Sequence, residues 1–241
     1  MPYLMEQPVL LLLETGTEIC SVAVSAGERI LALRESAEPR MHARMLTVFV
    51  EEALAEADVQ AAELDAVAYS CGPGSYMGLR IGASAAKGFC FALDIPLLPI
   101  DSLQALAMAA RMDEDPADAL YFPMIDARRM EVYTATYKRS GERLKAPYAL
   151  VVEEGAFTGE KTSLRVFCGN GMEKCRHLLP STGSDLRSVN ASAAHLLSPA
   201  LDLFEREKNK SGSASFENLI SHKPVYLKEP HITKSRNEKY P

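Results

Sequence analysis

Cys71-Gly-Pro-Gly-Ser-Tyr-Met-Gly-Leu-Arg-Ile-Gly82 joins two different periodicities. Before it, Leu64 to Cys71 reads as a strand carrying Val67 and Tyr69; after it, the pattern predicts a helix from about Gly78 to Leu93. Its glycines permit a tight turn, and a helix start presents unpaired N–H groups that suit an anion. No Gly-Lys-Ser/Thr follows, so this is not a Walker loop. Three residues separate Gly74 from Gly78, so it is not the dinucleotide fingerprint either. Strand, glycine turn and helix in succession mark an α/β chain.

Working outward, Val9 to Leu13 is a short apolar run of the kind buried on both faces of a sheet, ending in the turn-like cluster Glu14-Thr-Gly-Thr17. Ser21 to Ser25 and Arg29 to Arg34 complete a three-strand meander, and His42 to Ala57 carries a helical apolar face. Pro96 to Ile100 reads as a strand and Ser102 to Met112 as a helix. The acidic, proline-containing stretch Asp113 to Asp118 is the best lobe boundary. The pattern then restarts. Tyr121 to Ile125, Val132 to Tyr137 and Leu164 to Cys168 are predicted strands, with Asp126-Ala-Arg-Arg129 turning between the first two. Gly169-Asn-Gly171 leads into a short helix, Ala191 to Glu207 is helical, and Glu205 to Ser215 reads as a flexible linker. The expected division is a first lobe over 1–112, a second over 119–207, and a linker with a basic tail over 208–241.

The 241 residues suffice for one large domain or two compact lobes. A net charge of −6 makes the chain alone a poor grip for nucleic acid. The tail from His222 to Pro241 holds five basic residues against Glu229 and Glu238, and reads as a solvated segment. Cys20, Cys71, Cys90, Cys168 and Cys175 form no Cys-x-x-Cys, which predicts reduced, buried thiols and, with no leader or membrane segment legible, a soluble cytoplasmic protein. No two of the five histidines stand three or four apart, so no helical zinc pair is expected. Glu14 with its neighbouring threonines reads as a turn, or as an acid facing a metal-bound phosphate. Asp126 offers a second acid in the second lobe. Gly78, Gly82 and Ala86 recur at i, i+4 and i+8, a ridge that allows close approach either of the chain's own sheet or of another helix.

The combination of Leu12-Leu-Glu-Thr-Gly-Thr-Glu-Ile-Cys-Ser-Val-Ala-Val24, His42, the Cys71–Gly82 block, Ile125-Asp-Ala-Arg-Arg-Met-Glu-Val-Tyr133 and Pro224-Val-Tyr-Leu-Lys228 resembles the bacterial TsaB (YeaZ) family. The likeness is dense over about residues 9 to 137 and returns at the tail. It implies a two-lobed actin-like, ribonuclease-H-like (ASKHA) fold with mixed sheets flanked by helices. It also implies a part in forming threonylcarbamoyladenosine next to the anticodon of tRNAs that read codons beginning with A.

In that family the protein is not the catalyst. It pairs with the metal-binding paralogue TsaD, is joined by the ATPase TsaE, and forms homodimers when alone. Where the paralogue carries His-x-x-x-His, this chain has Ser102 and Leu106, so the resemblance implies no catalytic residue and no metal here. Glu14 replaces the usual aspartate, and Arg128 stands where the ATPases of the fold have the glycine of Asp-x-Gly. The cofactor-binding candidates are Glu14, Gly72, Gly74 and Asp126, with a nucleotide (ATP or ADP) expected at the partner interface if anywhere. The resemblance places that interface on the two first-lobe helices, with Met45, Phe49, Gly78, Gly82 and Ala86 as its candidates; Gly82→Leu is then expected to weaken association and spare the fold. The alternatives are a glycoprotease-like metallopeptidase and a stand-alone ASKHA-type kinase.

Overall fold

Leu10, Leu11, Leu12 and Leu13 are wholly buried because β1 (Val9–Glu14) is the middle strand of a sheet covered on both faces. The computed structural model describes residues 7–38, 41–208 and 216–229. β1 pairs antiparallel with β2 (Cys20–Ala26), which pairs antiparallel with β3 (Arg29–Ser36). On its other side β1 runs parallel to β4 (Ala66–Gly72), and β4 to β5 (Leu97–Asp101). The order is β3-β2-β1-β4-β5.

The period of two divides the leucines. Leu11 and Leu13 meet α1 (His42–Ala57) and α2 (Tyr76–Leu93) in one core; Leu10 and Leu12 enter another on the opposite face. Asp58 and Asp94, both left-handed, end the two helices. α2 begins two residues earlier than its apolar pattern indicates, where Ser75 Oγ accepts the Gly78 N–H at 3.3 Å.

α3 (Ser102–Ala109) then leads into the second sheet: β6 (Leu120–Asp126), β7 (Glu131–Lys138), β8 (Arg143–Val151), β9 (Arg165–Cys168) and β10 (Ser184–Arg187). Its order, read from the other edge, is β8-β7-β6-β9-β10, the same arrangement as the first sheet. α3, with Ala110 just beyond its end, covers one face through Leu103, Leu106 and Ala107, while Phe122, Phe157 and Phe167 cluster on the other with ring centroids 5.2–5.3 Å apart.

Three expectations need correction. α3 ends at Ala109 rather than Met112. β8 and β10 are absent from the sequence reading, since one is an exposed edge strand and the other has four residues, three of them polar. The helix placed in the second lobe is a 3-10 turn (Ala193–Leu196) followed by α5 (Leu197–Lys208), and Leu196, Leu197 and Ala200 close the free face of the first sheet. By packing, 193–208 therefore belongs to the first lobe. Within the stretch 113–118, Asp115 is buried against Arg187. The proposed linker begins inside α5, and its residues 209–215 lie outside the described residues. All five cysteines are free and buried. Among the described residues no helix is long and apolar enough to cross a membrane.

Candidate functional site

The ends of β1 and β4 bring the Glu14–Thr17 turn and the Gly72–Ser75 loop into direct contact. Ser75 N–H donates to Gly16 O at 2.7 Å, and a Cβ on Gly74 would lie 2.2 Å from the same oxygen. The first lobe's own turn therefore fills the glycine loop. Gly72, at φ +116°, lies under a second segment: a Cβ there would meet Val225 O at 2.6 Å.

Glu14 is 2% exposed, and its Oε1 accepts the Gly16 N–H at 2.5 Å. Burial pushes its carboxyl up to about 7, against the hydrogen bonds from Gly16 and Ser70, which pull the other way. The carboxyl closes the turn on the chain's own backbone. The folded chain thus holds a proton at Glu14 that the unfolded chain releases near pH 4.5. Stability from this group is greatest below that value and falls as pH rises towards 7. Glu14→Gln keeps the acceptor without the charge. It should remove this slope and raise stability at pH 8 by about 1–3 kcal/mol. Urea titrations at pH 5 and pH 8 check this, and parallel pH profiles for variant and parent would refute it.

In the second lobe Asp126 is exposed, accepts the Arg128 N–H at 2.7 Å and pairs with Lys174 on α4 (Met172–Cys175). Asn170 links the two mouths: its Oδ1 accepts the Asp126 N–H at 3.0 Å, and its Nδ2 donates to Glu18 Oε2 at 2.6 Å. The structure thus links the two turns through Asn170 and satisfies each acid separately. Among the described residues no three metal-ligating side chains converge. Ser102 Oγ accepts the Gly72 N–H at 3.2 Å, and Leu106 is buried in the second lobe's core. One therefore serves the loop and the other the packing.

The interface candidates point inward. A Cβ on Gly78 would lie 2.0 Å from Thr15 O, and one on Gly82 2.3 Å from Thr15 Oγ1, while Ala86 and Phe49 are core residues and Met45 is half-buried beside them. The small-residue ridge is occupied by β1's turn, so the expectation that Gly82→Leu spares the fold is corrected. What α1 and α2 expose instead is Val48, Met77 and Phe91.

The expectation of a solvated tail is corrected for its described part. Residues 222–228 lie along the glycine loop, with Val225 N–H donating to Cys71 O at 2.7 Å and Lys87 Nζ to His222 O at 2.7 Å. His222 Nε2 contacts the Tyr69 hydroxyl at 2.5 Å, the Tyr226 ring lies 4.8 Å from that of Tyr76, and Lys228 pairs with Glu131 of the second lobe. Charge counting hid this strap. Its one legible sign was the Pro224–Lys228 motif. The remaining basic residues of the tail, Lys234, Arg236 and Lys239, lie outside the described residues. Beside the strap, Asp101, Gln104, Arg143, Arg206 and Leu227 help line a cavity of about 380 Å³. Asp101 spans the lobes there, accepting from Tyr137 at 3.0 Å and Arg143 at 3.3 Å.

Two lobes with the same five-strand order, bridged between their turns by Asn170, define a two-lobed α/β protein with mixed sheets flanked by helices. A family model described as TsaD: tRNA N6-adenosine threonylcarbamoyltransferase matches residues 35–155. The solved structure of YeaZ from Pseudomonas aeruginosa is 32% identical with a TM-score of 0.72, covering 91% of this chain and 100% of that one. The chain belongs to the TsaB/YeaZ family. Proteins named tRNA threonylcarbamoyladenosine biosynthesis protein TsaB match from Haemophilus influenzae, at 36% identity over 58% of this chain, and from Escherichia coli, at 31% over 64%. These alignments span 58% and 60% of those relatives' own lengths.

Proposed function

We propose that this chain is the non-catalytic subunit that holds and activates a TsaD-like enzyme in forming N6-threonylcarbamoyladenosine next to the anticodon of tRNAs reading codons that begin with A. The observation that carries this reading is family membership combined with the fate of the positions where the paralogue binds metal. Ser102 is committed to the Gly72 N–H and Leu106 to the core. A glycoprotease-like metallopeptidase needs ligands there, and neither residue is free to serve. A stand-alone ASKHA-type kinase needs an open phosphate loop in both lobes, yet Gly74 lies against Gly16 and Arg128 replaces the second glycine. In our reading the partner docks on α1 and α2, a TsaE-like ATPase joins the pair, and the chain forms a homodimer when alone. Any ATP or ADP sits at the partner interface. Five unpaired thiols suit a cytoplasmic location.

The test is threonine incorporation into unmodified tRNA by TsaD-like, TsaE-like and adenylate-forming proteins, with and without this chain. Omission is expected to abolish incorporation, with the chain alone inactive; full activity without it would refute the reading. For the docking face, Met77→Glu places a charge on an apolar side chain that is 63% exposed. Glutamate in the first turn suits the helix dipole, so α2 should persist. Association with the partner should weaken by roughly tenfold or more in a titration, at an unchanged thermal midpoint. Unaltered affinity would remove this end of α2 from the interface.

A further inference from the structure

The turn between β6 and β7 holds two consecutive arginines in the left-handed region, Arg128 at φ +70° and Arg129 at φ +52°. Glycine or asparagine takes this conformation readily, whereas a longer side chain is strained in it. The backbone is well fastened: Arg128 N–H donates to Asp126 Oδ1 at 2.7 Å, Ala127 N–H to Glu131 O at 3.0 Å, and Glu131 N–H to Arg128 O at 3.2 Å. Both side chains are exposed, and among the described residues neither guanidinium has a hydrogen-bond or ion-pair partner.

Of the acids near the turn, four are engaged, whereas Glu153 and Glu154, just past the Val152 whose N–H donates to Met130 O, have no ion pair among the described residues. Asp126 pairs with Lys174, Glu131 with Lys228 and Glu173 with Arg176, while Glu18 accepts from Asn170. Two arginines without an ion pair of their own therefore stand on an exposed turn of a chain whose net charge is −6. The fold gains nothing visible from them, and a locally unfavourable choice without a packing return marks a position retained for something outside the fold. Guanidinium forks match phosphate oxygens. A free nucleotide calls for an enclosing pocket, whereas an exposed hairpin tip suits the outer surface of a polyanion.

We propose that the Arg128–Arg129 turn contacts the phosphate backbone of the tRNA, so that this chain adds RNA-binding charge to the assembly. This rests on the function proposed above. The test compares wild type with the double variant Arg128→Asn/Arg129→Gly, whose residues tolerate the turn, each purified with the TsaD-like partner. Binding of unmodified tRNA transcript is measured across a salt series. The variant is expected to bind about tenfold more weakly near 0.15 M salt, with its salt slope reduced by roughly one to two, and to melt no lower than wild type.

Unchanged affinity and slope in the folded variant would overturn the proposal. So would weakened ADP binding with tRNA binding intact, which would assign the arginines to a nucleotide. Incorporation assays with the chain omitted separate the two levels. If omission has no effect, the functional reading fails. If omission abolishes incorporation and the variant binds tRNA normally, only the present proposal fails.

Discussion

Gly78→Ala, the addition of one methyl group, is expected to destabilise this chain by about 2–4 kcal/mol, and Gly82→Leu to prevent its folding. The new carbon at 78 would lie 2.0 Å from Thr15 O, an atom of β1's own backbone turn that cannot swing aside. Thr15 is held from several directions: its N–H donates to Ser70 Oγ at 3.3 Å and its hydroxyl to Gly78 O at 2.9 Å. Relief requires α2 to retreat by an ångström or so, yet Leu79, Ala83 and Ala86 are buried along the same face. At Gly82 the obstacle is Thr15 Oγ1, a side-chain atom at 2.3 Å. Alanine there can be met in part by rotation of the threonine, whereas leucine cannot.

Gly88 supplies the control within the same helix. Nothing lies within 4 Å of a Cβ built on it. Gly88→Ala should therefore stabilise by about 0.5–1 kcal/mol through helix propensity alone. Urea midpoints of the three variants check the argument. Equal midpoints for the alanine variants at 78 and 88 would mean that α2 does not rest on the β1 turn.

The same ridge shows where sequence reading reaches and where it stops. Spacing of four correctly put Gly78, Gly82 and Ala86 on one face of one helix, but a period cannot say what that face meets. The first lobe was legible because Val9 to Leu13 and the α1 stripe are strongly patterned; α1 spans His42–Ala57 as its apolar face indicates. In the second lobe, β8 has Arg143, Leu144, Lys145 and Ala146 all exposed, with Pro147 further along, so the alternation that betrays a strand is missing from its first half. The strap at 222–228 was hidden for another reason. It is held largely by backbone groups, Val225 N–H and His222 O among them, and composition carries no record of those. The candidate positions are legible; their surroundings are not. Glu14 and Asp126 stand out in the sequence as the acids of the two turns, but burial of one and pairing of the other arise from tertiary packing.

Asp115→Ala is expected to destabilise the chain by about 3–5 kcal/mol, because it would leave the buried Arg187 guanidinium with only the more exposed Asp185 as counter-ion. Asp115 is 6% exposed and Arg187 8%. The contact is two-pronged, Nη1 to Oδ2 at 2.7 Å and Nη2 to Oδ1 at 2.5 Å. Tyr121 OH and Met112 N–H also donate to Oδ2, at 2.5 and 2.9 Å, while Arg187 reaches Ala110 O at 2.6 Å and Asp185 at 2.8 Å. One carboxylate thus ties the end of α3, the crossover between lobes, β6 and β10.

Arg187 holds the Asp115 carboxyl well below the ordinary carboxylate range, outweighing the opposing effect of burial. Its folded value lies under its unfolded one, so its contribution is complete above about pH 4 and is lost as pH falls below that. This is the reverse of Glu14, whose effect appears as pH rises. Asp115→Ala should therefore flatten the acid limb of the stability profile and leave the neutral limb to Glu14. Replacing both partners, Asp115→Leu with Arg187→Met, removes the stranded charge and should recover part of the loss, the remainder reflecting Tyr121 OH, Met112 N–H and Ala110 O left without these partners. If the single variant loses under 1 kcal/mol, or the double variant loses as much as the single, the crossover is not fastened by this pair.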